Sequence, residues 1–263
     1  MLAPFSSADT TLALGACASI LGVIMSAIRK IAIAVFLLFS SAAIAQPASP
    51  SPKPGGKSIC VASALGQRYD VQTVGLMVFG NSLESVSVDS WGVDDMVARK
   101  IGVILGNRFS VRRINFPKGG ISDASGALFN NQDAAQFAAL RGAAGTTKCD
   151  FFLVVTKGGS QFMGTNQSVV GLGIVKHDGG ILVNHYLFAY ISLRLFDNAT
   201  ITVKRPQVDL GGLLLGNKSA LRNTDRANWP ATPQAAVQSP VLRDAALTMV
   251  AQSLAEKVPK LFE

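Results

Sequence analysis

The chain has 263 residues, 49% of them hydrophobic, and 24 basic against 16 acidic residues give a formal net charge of +8. That length buries one substantial core and leaves room for an appended subdomain. Only three cysteines and two histidines are present, which argues against a zinc cluster.

Much of the apolar content lies in the first 45 residues, where the runs 12–28 and 31–45 flank Arg29-Lys30. Read from Met25, "MSAIRKIAIAVFLLFSSAAIAQ" has a basic n-region, an apolar h-region and the small-residue site Ala43-Ile44-Ala45 before Gln46. Those are the parts of a secretory signal peptide cleaved after Ala45. Residues 1–24 carry one charge, Asp9, and no basic residue, so Met25 reads as the working start and 1–24 as an over-extended gene. One alternative makes 12–45 a membrane hairpin, although each arm falls short of the ~20 residues that a span needs. Another uses "LGAC", 14–17, as a lipoprotein box, but it lacks an n-region.

The expected localisation is therefore periplasmic or secreted. Cleavage removes Asp9, Arg29 and Lys30 and leaves 22 basic and 15 acidic residues. A positive protein outside the cytoplasm points to anionic lipid or cell-wall polymer rather than to nucleic acid. The local basic groups, Arg112-Arg113-Lys118 and Lys204-Arg205, read as solvated strand ends. Cys60 and Cys149 survive cleavage. An even pair in an exported protein fits one disulfide, the alternative being two separately buried thiols.

In chain order, "QPASPSPKPGGKS", 46–58, is a linker, and its Gly56-Lys57-Ser58 lacks both the glycine at Ser51 and the preceding strand of a P-loop. A short strand is predicted over 59–65 and a stronger one over 71–79, ending at Gly80-Asn81. Ser90 is expected to cap a helix over 91–105 whose stripe is Val93, Met96, Val97, Ile101, Ile104 and Leu105. A strand over 109–116 and an alanine-rich helix over 130–144 follow, the helix presenting Ala134, Phe137, Ala138 and Arg141. The unbroken apolar run 151–155 is how a strand buried on both faces reads. Long β runs over 168–176 and 185–197, a hairpin through Asp197-Asn198-Ala199, a loop over 207–238 and a helix opened by Ser239-Pro240 complete the chain. The predicted inward face of that last helix is Leu242, Ala246, Met249, Val250, Ser253 and Leu254.

The stretch "VFGNSLES", 78–85, raises the question of catalysis. It resembles the first block of the GDS(L)-type esterases, in which a strand ends in Gly-Asp-Ser and the serine attacks. The resemblance makes Ser82 the nucleophile, Asn81 the residue in the acid's place and Gly119 or Gly120 the oxyanion glycine, and a hydrolase would then need His185 or His177 as its base. The remaining blocks are missing: Gly158-Gly159-Ser160-Gln161 replaces Gly-x-Asn-Asp, and no Asp-x-x-His follows. A serine without a positioned base is not a nucleophile near neutral pH. A strand-ending turn accounts for Gly80-Asn81-Ser82.

A second resemblance spans about 71–205. Phe79-Gly80-Asn81, Arg108-Phe109-Ser110-Val111, Cys149-Asp150 with the run 151–155, and Leu195-Phe196-Asp197 occur in the order of one envelope-protein pattern. It is similar to the amino-terminal domain of the Tol translocation protein TolB and to the curli secretion lipoprotein CsgG family. Val78 stands where the pattern has proline, and no lipidated cysteine heads the mature chain. The resemblance implies an α/β sandwich used in envelope assembly and protein contacts, with no catalytic residue to transfer.

Other candidates are thin. "GLGIVKHDGG", 171–180, has Lys176 where a dinucleotide motif needs glycine. His177 and His185 lack a third metal ligand, and Asp94-Asp95 reads as helix-start electrostatics. The expectation is thus a single α/β domain over 59–263. It is a three-layer-type sandwich with a parallel β-α-β-α-β unit, antiparallel extensions and a C-terminal helix. The predicted role is non-catalytic, with envelope proteins or an anionic envelope component as partner and no cofactor or metal.

Overall fold

The computed structural model describes residues 56–75, 80–116, 132–162, 164–180, 182–206 and 220–263. All of these fall in the compact unit that spans 50–263. The signal-peptide and start-codon expectations, and the oxyanion candidate Gly120, lie outside the described residues.

Two five-stranded sheets carry the fold. The first has the order β11-β10-β5-β1-β4. Here β1 is Ser58–Ser63, β4 Ser110–Arg113, β5 Phe151–Lys157, β10 Ile191–Asp197 and β11 Val203–Lys204. β1 pairs in parallel with both β4 and β5, while β10 runs antiparallel to β5. The second sheet has the order β12-β9-β8-β2-β3. Its strands are β2 Arg68–Val74, β3 Ser82–Ser87, β8 Leu172–Asp178, β9 Val183–Ala189 and β12 Leu221–Asn223. A small hairpin of β6, Gly159–Gln161, and β7, Ser168–Val170, is separate.

Three layers are seen at the first sheet. One of its faces packs on helices α1, Val93–Leu105, and α4, Pro240–Lys257. The other is covered by α2, Gln132–Ala144, through Phe137, Leu140 and Ala144 against Phe152, Val154 and Phe196. The second sheet turns the matching face to the same α1/α4 core through Tyr69, Val71, Ile174 and Leu187. Its outer face is closed by the β6–β7 hairpin, whose Phe162 and Val169 pack on Val74, Val175 and Phe188. The mixed α/β architecture with its parallel unit and C-terminal helix is thus as expected.

Several local expectations are corrected. The first strand of the parallel unit is β1, not the run over 71–79. Ile59, Cys60, Val61 and Ala62 are all fully buried, as a strand in the middle of a two-sided sheet requires. The later run contributes β2, which belongs to the other sheet and pairs antiparallel with β3. Helix α1 is capped by Gly92 in the left-handed conformation, preceded by a 3-10 turn, Asp89–Trp91, so Ser90 is not its cap. On α2, Ala134, Ala138 and Arg141 are exposed, and Gln136, Phe137, Leu140 and Ala144 face inward. Gln136 is there to receive a hydrogen bond from buried Arg194 at 2.9 Å, which a pattern of apolar letters does not reveal. The 207–238 region holds β12, a 3-10 turn and helix α3, Pro233–Gln238; residues 207–219 are not described. The inward face of α4 agrees residue for residue with the predicted one.

The run 185–197 is not one strand. Its chain leaves the second sheet at Ala189 and enters the first at Ile191. Tyr190, at the corner, joins a closed ring of three backbone hydrogen bonds. Gly158 N–H donates to Tyr190 O at 2.9 Å, Tyr190 N–H to Gly171 O at 2.8 Å, and Gly171 N–H to Gly158 O at 2.8 Å. The ring satisfies backbone groups that the bend removes from both ladders. Gly171 divides 168–176 in the same way, with φ of 73°.

Cys60 and Cys149 form a disulfide with a Cα–Cα distance of 5.6 Å. It lies between the first sheet and α2, joining β1 to the residues that lead into β5. Beside it, Asp150 accepts hydrogen bonds from Ser58 N–H at 2.6 Å and Ser58 Oγ at 2.8 Å. Asn198 donates to the carbonyls of Asp150 and Cys149, each at 2.9 Å.

A candidate ligand-binding cleft

The cleft begins with a hairpin. β8 and β9 pair antiparallel through Asp178, Gly179, Gly180 and Leu182, with Gly179 N–H donating to Leu182 O at 3.0 Å. In this register Lys176 stands opposite His185, and Asp178 opposite Val183. Side chains alternate along a strand, so Lys176 and His185 share the face of Ile174 and Leu187, which belongs to the α1/α4 core. They lie where that core ends.

The roof comes from the far side of β9. β12 pairs with β9, and Thr224 N–H then donates to His185 O at 2.9 Å. Asp225 caps the 3-10 turn Arg226–Asn228 by accepting from Ala227 N–H at 2.8 Å. Trp229 closes it, its N–H donating to Arg226 O at 3.0 Å. Arg226 and Trp229 are thereby folded over His185, with the His185 and Trp229 rings 5.5 Å apart. The cleft that results has a volume of about 360 Å³ and is lined by Lys176, Val183, His185, Arg226 and Trp229.

Its lining contains an ammonium, a guanidinium and an imidazole, and no carboxylate. The two nearby acids are engaged by their own turns: Asp225 as the cap, and Asp178 accepting from Gly180 N–H at 3.2 Å and lying 3.9 Å from Lys176 Nζ. His185 is only 6% exposed. Its pKa is held below the ordinary histidine value by burial first, then by the charges of Lys176 and Arg226, with Asp225 opposing. The lining itself is cationic, and a positive wall attracts an anion.

The proposed esterase residues are not assembled. Ser82 pairs with Thr73, Thr73 with Lys176, and Lys176 with His185, so Ser82 and His185 share a face but stand three strands apart. At the usual strand spacing that is about 14 Å, far beyond a hydrogen bond. Asn81 acts as a turn residue, its Oδ1 accepting from Gly75 N–H at 2.9 Å. His177 belongs to the opposite face, where it meets the Phe162 ring at 5.5 Å, so the two histidines do not converge on one metal. Among the described residues no group of three or more His, Cys, Asp or Glu side chains is placed to hold a metal ion.

Among the remaining charged candidates, Asp94, Asp95, Arg113 and Arg205 have structural partners. Asp94 Oδ1 accepts from Ser63 Oγ at 2.5 Å and from the backbone N–H groups of Leu65 and Gly66, fastening the β1–β2 turn to α1. Asp95 pairs with Arg113, and Arg205 with Asp133 at 2.7 Å. Sequence reasoning singled out His185 but missed Val183, Arg226 and Trp229, and met Lys176 only as a failed glycine. A register between β8 and β9 was the one available signal for Lys176. Nothing local connects Arg226 and Trp229 to a histidine some forty residues upstream.

No protein-family model matches the chain, and no curated protein matches it. Among solved structures it is similar to protein XCC0632 from Xanthomonas campestris, of family DUF330. The identity is 10% over 78% of this chain and 85% of that one, with a TM-score of 0.29, a likeness too slight to carry an argument. Among the described residues no helix is long and apolar enough to cross a membrane. The Cys60–Cys149 bond fits a protein that matures in an oxidising compartment.

Proposed function

We propose that this chain is an exported, non-catalytic envelope protein that works by binding an anionic envelope component in the β8–β9 cleft. The observation that carries the reading is the composition of the cleft wall: Lys176, Arg226 and His185 beside an aromatic ring, without a carboxylate or a hydroxyl nucleophile. The similarity of 71–205 to the TolB amino-terminal domain and CsgG family supports an envelope role, as does the signal-peptide pattern at 25–45. The basic balance of the chain supports an anionic ligand.

Trp229 supplies the assay, because Trp91 is buried and hydrogen-bonded to Val237 O at 2.9 Å, away from the cleft. Titration with sn-glycerol 3-phosphate at neutral pH is expected to give a saturable fluorescence change that Trp229→Phe removes. Arg226→Ala is expected to weaken it about tenfold, the worth of one charge-assisted hydrogen bond. An unsaturable response, or one unchanged in Arg226→Ala, overturns the reading.

A further inference from the structure

Resting on the cleft as an anion site, we infer that its ligand is the phosphate of an anionic phospholipid in a bilayer, and that the β8–β9 hairpin docks on the membrane surface. Exposed apolar side chains border the cleft. Val183, one of its walls, is 44% exposed, and its neighbour Leu182 is 71% exposed. Two apolar side chains therefore stand in water at the mouth of a site lined by Lys176 and Arg226.

A soluble anion uses only the cationic wall and leaves that apolar tip unexplained. A phospholipid surface uses both. Its phosphates meet Lys176 and Arg226, and the hydrocarbon boundary just below them receives Leu182 and Val183. Trp229, half-buried in the wall, is the aromatic type that favours this interface. Asp178 and Asp225 keep their charge, but each carboxylate is turned toward its own turn by a backbone N–H donor, and neither lines the cleft.

The test uses the mature protein from Gln46, isolated after export, so that the apolar run before it takes no part. Co-sedimentation is measured with phosphatidylcholine vesicles containing or lacking phosphatidylglycerol, beside the glycerol phosphate titration. Binding is expected only with phosphatidylglycerol and is expected to fall as salt rises. Arg226→Ala should lower partitioning about fivefold, the effect of one basic residue near an anionic surface. Leu182→Ser should weaken vesicle binding and leave the glycerol phosphate titration unchanged. Far-UV circular dichroism confirms that both variants fold.

If glycerol phosphate titrates but vesicles do not bind, or if Leu182→Ser binds vesicles like the parent, membrane docking is overturned and the anion site stands. Vesicle binding that neither substitution alters assigns the contact to another surface and overturns the inference. If neither probe binds, the inference and the proposed function fall together.

Discussion

Gly158 donates its backbone N–H to the carbonyl of Tyr190 at 2.9 Å, and with Gly171 these residues form a ring at which three chain segments meet: one leaving the first sheet for the β6–β7 hairpin, one leaving that hairpin for the second sheet, and one crossing from the second sheet to the first. A Cβ at Gly158 would stand 2.9 Å from the carbonyl carbon of Ile191, a backbone atom that cannot step aside. Gly158→Ala is therefore expected to cost about 1–3 kcal/mol, as overpacking does. Urea unfolding checks it, and a midpoint unchanged from the parent would refute the tight corner.

The disulfide closes a loop of 89 residues between β1 and the start of β5. Its loss is expected to cost about 2–5 kcal/mol, largely through the freer unfolded chain. Thermal unfolding with and without reductant measures this. Peptide mapping under non-reducing conditions should recover Cys60 and Cys149 on one linked fragment.

His185 makes stability depend on pH. Its folded pKa lies below that of the unfolded chain, so the unfolded state takes up a proton more readily. Stability is then complete above the ordinary histidine pKa of about 6.5 and falls as pH drops below it, until the folded form is protonated too. His185→Gln should flatten this slope between pH 7 and 5. A parent protein whose urea midpoint is constant over that interval would show that the imidazole is not pressed as described.

Asp150 acts at lower pH. The Ser58 N–H and Oγ hold its carboxyl below the usual carboxylate range. Its contribution is present above the unfolded value of about 3.9 and disappears as pH falls through the lower folded one. Asp150→Asn should weaken the protein at neutral pH and make its acid unfolding less steep. Parallel acid titrations of the two proteins, followed by circular dichroism, decide it.

Ser82 and His185 lie on one face but three strands apart, so short-chain ester hydrolysis is expected to be absent from the parent and from Ser82→Ala alike. Activity that vanished in the variant would require a base that the described residues do not bring to Ser82.

Where burial alone decides the structure, the sequence was readable. The α4 face repeats at helical spacing because one side of a helix meets the core, and Leu242 through Leu254 obey that rule. The run 151–155 of β5 is apolar without alternation because both of its faces are covered. Ser239 and Pro240 announce the α4 start because a hydroxyl cap and a preset φ act within one turn. Cysteine parity and the export pattern pointed to a pairing that needs no knowledge of the fold.

Other features depend on distant chain. Period two continues through 185–197 because both sheets face the same core, so alternation carries no mark of the change of sheet at Tyr190. That bend exists because Gly158 and Gly171, from two other segments, meet it there. β1 looked minor because its six residues follow a linker, yet its central place comes from partners at 110–113 and 151–155. The cleft is the extreme case. Local pairing sets Lys176 opposite His185, but only the docking of β12 on β9 brings Arg226 and Trp229 to them. By itself the sequence determined which segments must be buried, since transfer of apolar surface from water is a local property of each side chain. The tertiary structure alone decided which polar groups stand together at the end of that core, because their meeting is set by sheet register and chain reversal rather than by spacing.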